Sequence, residues 1–134
     1  MTDIPPPIRT RVAEQARHRC GYCLAHQQYV YEKLQIEHIE PRVLGGSDDE
    51  DNLWLSCSLC NRYKSSKTHG RDPVTGRRVR LFNPRQQKWK RHFRWSEDGT
   101  EVIGRTVCGR ATVEALNMNN DLAVLVRSNW IEAG

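Results

Sequence analysis

Long apolar runs are missing from this chain of 134 residues. The longest, such as Leu122-Ala123-Val124-Leu125-Val126, stop far short of the roughly 20 apolar residues a helix needs to cross a bilayer. No membrane partner is therefore expected. The segment Met1 to Pro7 lacks a basic stretch followed by an apolar one, so no signal peptide is predicted and a cytoplasmic location is the default expectation. Internal repeats and long low-complexity stretches are absent too. Acidic residues nearly vanish from Arg62 to Arg94, where twelve Lys and Arg face Asp72 alone. The rest of the chain is acidic on balance, with Asp48-Asp49-Glu50-Asp51 as its densest cluster. A basic block of that density fits a polyanion partner, because Lys and Arg gain affinity by displacing counterions from phosphates.

Cysteine is also scarce. The chain holds five, an odd number, and four of them form two Cys-x-x-Cys pairs, Cys20/Cys23 and Cys57/Cys60. Two tight pairs favour thiolate ligation of a metal over a disulfide framework. Four thiolates suit a tetrahedral structural Zn²⁺, which would join the ends of the intervening hairpin and contribute folding energy. Cys108 lies far from both pairs and is expected to be an ordinary thiol.

The pattern along the chain predicts an α+β fold in a single domain, with a core over about 18–68 and an extension over about 69–134. Ile8, Val12 and Ala16 recur at helical spacing, so a helix is expected from about Pro7 to His18. Gly21 is expected to permit the turn between the first two cysteines. Leu34 to Ile39 alternates like a half-buried strand, and Leu53-Trp54-Leu55 returns beside it. Periodicity leaves open which side of that strand takes Glu37. Ser58 is a candidate N-cap for a helix through Asn61, Lys64 and Lys67. Asp72 to Gly76 is a turn, and Phe93 to Ile103 is a hairpin around Gly99. Ala111 to Leu116 and Leu122 to Trp130 are expected as closing helices. Trp89, Phe93 and Trp95 are assigned to a core rather than to base stacking.

Between and beside the cysteine pairs stand Ile36-Glu37-His38-Ile39-Glu40-Pro41, Gly45-Gly46-Ser47, Asn52-Leu53 and Asn61-Arg62-Tyr63-Lys64. In this order and spacing the stretch from Cys20 to about Lys67 resembles the HNH endonucleases, the ββα-metal nucleases, in their four-cysteine zinc subgroup. The resemblance implies a ββα-metal core with a treble-clef-like zinc site, followed here by a C-terminal β-hairpin and helical extension. It implies a metal-dependent nuclease acting on DNA, expected to be double-stranded, as a monomer or weak dimer. His38 would be the general base, since an imidazole can take a proton from water near neutrality. Glu37 and Asn61 would ligate Mg²⁺ or another divalent ion such as Mn²⁺ or Ni²⁺, both being hard oxygen donors. Asn52 would hold the loop and help orient His38. Arg42, Arg62, Lys64 and Lys67 would contact nucleic acid. In the family the position of Glu37 is more often Asp or His. The alternative is a zinc-stabilised nucleic-acid-binding module without catalysis.

Overall fold

A computed structural model describes residues 3–134. It divides into two compact units: the first runs through Thr68 and also takes in Asn83–Gln86, and the second is made of His69–Phe82 and Gln87–Gly134.

The first unit opens with helix α1 (Pro6–Gln15). Pro6 and Pro7 occupy its first turn, where a missing N–H costs nothing, and the Pro5 carbonyl accepts from Ile8 and Arg9. Val12 is fully buried and meets Ile4 and Leu53, with Ile8 and Ile36 packed around them. The helix ends sooner than predicted, because Arg17 and His18 take left-handed backbone angles, φ 55° and 58°. Strands β1 (Gln35–His38) and β2 (Leu53–Ser56) form the expected antiparallel hairpin, pairing Ile36 with Leu55 and His38 with Leu53. Helix α2 (Ser58–Lys64) follows directly. Its N-cap is Cys57 rather than the predicted Ser58: the Cys57 Sγ accepts from the Cys60 N–H at 3.4 Å. A left-handed Ser65, φ 51°, stops the helix before Lys67.

Glycine 21 has a different reason from the one predicted. Its φ is not left-handed, and a Cβ there would run into the Trp54 ring and Pro84. What it permits is close approach, with its N–H bonded to the Leu55 carbonyl at 2.9 Å.

In the second unit β3 (His69–Arg71) pairs with β4 (Arg78–Arg80), a hairpin that sequence periodicity did not reveal. A short helix α3 (Trp89–His92) leads into β5 (Phe93–Trp95), which pairs with β6 (Val102–Gly104). Helices α4 (Val107–Ala115) and α5 (Asp121–Ala133) close the unit. Phe93 is buried and meets Phe82 and Trp89 at ring separations of 5.0 and 5.2 Å, with Trp95 5.5 Å from Trp89, so these aromatics build packing. Arg127 on α5 is buried and donates to the Thr100 and Met118 carbonyls.

Asp72 anchors the β3–β4 turn. Its carboxylate accepts from Val74 N–H and Thr75 Oγ1, and pairs with both Arg110 Nε and Nη2 at 2.9 Å. The Arg110 guanidinium holds the Asp72 carboxyl well below its usual range. A carboxyl with a depressed folded-state pKa stabilises the fold above its unfolded value and loses that contribution as pH falls below it. Asp72→Asn is therefore expected to lower the melting temperature at neutral pH and to flatten the wild-type decline below about pH 4. Thermal melts from neutral pH down to acid test this, and parallel acid limbs in the two proteins would contradict it.

Candidate metal centre and nucleic-acid cleft

The four paired cysteines come together as predicted. The sulfurs of Cys20, Cys23, Cys57 and Cys60 all lie within 4.8 Å of one another, with Cys20 and Cys60 buried. The knuckle is closed by Cys20 N–H to Ala25 O and Leu24 N–H to Cys20 O. Hydrogen bonds from the other three thiols push the Cys57 thiol far down, toward thiolate. Four sulfurs so close, one already favouring the anion, fit a structural metal such as zinc. Among the described residues this is the one cluster of three or more His, Cys, Asp or Glu that could hold an ion, and Cys108 lies outside it.

The second site is built on β1, where adjacent residues point to opposite faces. His38 lines an open cleft of about 680 Å³ together with Ile36, Arg9, Lys33 and Arg42. Its Nε2 lies 2.7 Å from Asp48 Oδ1, and Arg42 Nε lies 2.8 Å from the same oxygen. Asp48 is held below the ordinary carboxylate range by its hydrogen bonds to Arg42 and His38. Sequence reasoning missed Asp48, which it assigned to an acidic loop.

That loop is fixed by Asn52 and two glycines. Asn52 Oδ1 accepts from Glu40 N–H at 2.8 Å, while Nδ2 donates to the Glu40 and Ser47 carbonyls at 3.0 and 2.8 Å. Ser47 precedes Asp48, so Asn52 sets the position of the carboxylate that holds His38. Gly45 is left-handed, φ 91°, and a Cβ on Gly46 would collide with the Glu40 carbonyl.

Glu37 turns the other way. It is 4 % exposed, and its Oε1 accepts from Tyr22 Oη at 2.9 Å and pairs with Lys64 Nζ at 3.0 Å. Burial raises the Glu37 carboxyl to about 7 even against Lys64 and Tyr22. Lys64, predicted to contact nucleic acid, is instead 2 % exposed, and its ammonium also donates to the Ile39 carbonyl at 3.3 Å. A buried ammonium held by a carboxylate is not a surface phosphate contact. Asn61 is placed by Gln35, to which its Nδ2 donates at 2.6 Å. Arg42, Arg62 and Lys67 are exposed, and Lys67 Nζ donates to Tyr63 O.

A hard divalent ion needs oxygen donors, and one is present: Glu37 Oε2 is buried with no hydrogen-bond partner. Asn61 commits its amide nitrogen to Gln35, which leaves its oxygen as the ligand atom. The donor chemistry fits such an ion, with Lys64 standing on the other Glu37 oxygen.

Residues 20–67, about a third of the chain, match the family model described as HNH endonuclease. No curated protein and no solved structure matches the chain.

Proposed function

We propose that this protein is a DNA endonuclease of the HNH type, hydrolysing phosphodiester bonds at the cleft that His38 lines. The observation that carries this reading is the His38–Asp48 pair, 2.7 Å apart inside the segment that matches the HNH family, at a cleft lined by Arg9, Lys33 and Arg42 and also by Asp3 and Glu32. Cleavage of a phosphodiester needs a water deprotonated as its oxygen attacks phosphorus, while the bond to the leaving oxygen breaks. With Nε2–H donating to Asp48, the lone pair lies on Nδ1, and that nitrogen takes the proton from water. Asp48 fixes the tautomer and offsets the charge on the imidazolium that forms. The guanidinium and ammonium groups of Arg9, Lys33 and Arg42 hold the DNA backbone, with Arg62 and Lys67 extending the basic surface. Asn61, held by Gln35 at the edge of the same cleft, and the buried Glu37 would hold Mg²⁺, Mn²⁺ or Ni²⁺; such an ion, when bound, would supply the positive charge that phosphodiester cleavage needs.

The four cysteines, with zinc, hold the treble-clef-like frame on which α2 and the hairpin sit. Double-stranded DNA is the substrate this reading favours, cut one strand at a time.

Supercoiled plasmid tests it. Zinc-loaded protein is expected to convert supercoils to nicked circles with Mg²⁺, Mn²⁺ or Ni²⁺ and to leave them intact without a divalent ion. Supercoils that survive all three metals would overturn the reading for DNA.

A further inference from the structure

The helix–strand register beside the candidate ligands puts a lysine where a cation belongs. On α2, Asn61 and Lys64 are three residues apart and share a face. On β1, Gln35 and Glu37 are two apart and share one as well. The two steps meet: Asn61 bonds Gln35 at 2.6 Å and Lys64 pairs with Glu37 at 3.0 Å. The ammonium therefore stands in the same inter-element space as the proposed ligands. Both partners of the ion pair have side chains only 3 % exposed, so water does little to screen them.

Glu37 Oε1 already takes two donors, Tyr22 and Lys64, while Oε2 takes none. A divalent ion entering at Glu37 with Lys64 in place would put an ammonium and a dication on one buried carboxylate. Like charges that close repel strongly when desolvated. One cation has to leave.

We propose that Lys64 is a resident cation on Glu37, displaced when a divalent ion binds there, and that this exchange sets the metal affinity of the site. The inference rests on the nuclease reading above for the identity of the site, but it concerns binding rather than cleavage. Tyr22 keeps its hydrogen bond to Glu37 throughout, tying the carboxylate to the cysteine knuckle. Lys64 has a four-carbon stem and three donors, so its ammonium can leave Glu37 without any backbone change.

Calorimetric titration of Mn²⁺ into zinc-loaded full-length protein at one pH tests the exchange. Lys64→Met and Lys64→Gln are each expected to bind Mn²⁺ about tenfold or more tighter than wild type, because no ammonium has to be expelled. Adding Glu37→Gln to Lys64→Met is expected to abolish the gain. Equal or weaker binding by both single variants, or a gain that survives Glu37→Gln, would overturn the proposal. Removing Lys64 leaves a buried carboxylate unpaired, so wild type supplies a second measurement. In nitrogen-resolved NMR of the lysine ammonium groups, the Lys64 resonance is expected to move as Mg²⁺ saturates the Asn61 side-chain amide. A Lys64 signal that stays fixed while the Asn61 amide shifts would refute displacement. Plasmid nicking without the affinity gain would sink this proposal and spare the nuclease reading. The affinity gain on an inert plasmid would do the reverse.

Discussion

His38→Ala is expected to abolish metal-dependent nicking while leaving DNA binding nearly intact. General-base catalysis contributes about 10²- to 10⁴-fold, and among the described residues no second imidazole lines the cleft to replace the one removed. The substitution spares the groups proposed to hold phosphate, since Arg9, Lys33 and Arg42 stay on the cleft wall. It also spares the loop, because Asn52 holds Glu40 and Ser47 without using His38. Rate and affinity should therefore separate. Single-turnover nicking would fall to background, while filter binding to the same plasmid would change little at fixed salt. Nicking at the wild-type rate would remove His38 from the mechanism. Asp48→Asn provides the graded companion: it keeps a hydrogen-bond acceptor on Nε2–H but removes the charge that balances the imidazolium. It should fall between wild type and His38→Ala.

The parts of this molecule written in local spacing could be recovered from the chain alone. Two Cys-x-x-Cys pairs place four sulfurs by covalent geometry, and the alternation in Leu34 to Ile39 gives the β1–β2 hairpin. Asp48 could not be found that way. It reaches His38 from ten residues downstream, through a loop whose path depends on Asn52, Gly45 and Gly46 acting together. Its neighbours Asp49, Glu50 and Asp51 made it one of four equivalent acids, and only the fold tells it from them. Charge alone points Lys64 toward phosphate, whereas the fold buries it on Glu37. The three-residue step from Asn61, set against the two-residue step from Gln35 to Glu37, was a legible hint that both α2 side chains face β1. The β3–β4 hairpin had no such hint, since Arg78 and Arg80 lie exposed at either side of Val79 and the opposite strand packs on α4 through Gly70, which carries no apolar side chain to alternate. What the chain did state there was the turn, where Asp72 bonds forward to Val74 and Thr75.

Cys57→Ser should be the most destructive single change in the first unit. Cys57 does two things: it offers a sulfur to the cluster and caps α2 through its contact with Cys60 N–H. Serine can still cap a helix, so losing the cap is not the dominant cost. The hydroxyl is shorter, harder and does not ionise near neutral pH, so it fails as a zinc ligand. One buried apolar cluster of this unit centres on Ile4, Val12 and Leu53 with Ile8 and Ile36 beside it, and Tyr22, Ile39 and Leu55 are buried as well, a modest set for a unit of this length. A core of that size depends on the metal, since structural zinc is worth about 10–16 kcal/mol in small metal-folded domains. Whole domains are stable by only about 5–15 kcal/mol, so losing even half of the metal's contribution is enough to unfold the unit. The variant is expected to lose bound zinc by elemental analysis and to lose the cooperative melt of the first unit. A strong chelator added to wild type should produce the same loss, and Zn²⁺ should reverse it. Cys108→Ser, outside the cluster, should keep both zinc and melt. If Cys57→Ser retained full zinc and an unchanged transition, the cysteine cluster would not be what holds α2 against the hairpin. The placement of Glu37, Lys64 and Asn61 would then rest on other contacts, such as the buried Tyr22 that donates to Glu37.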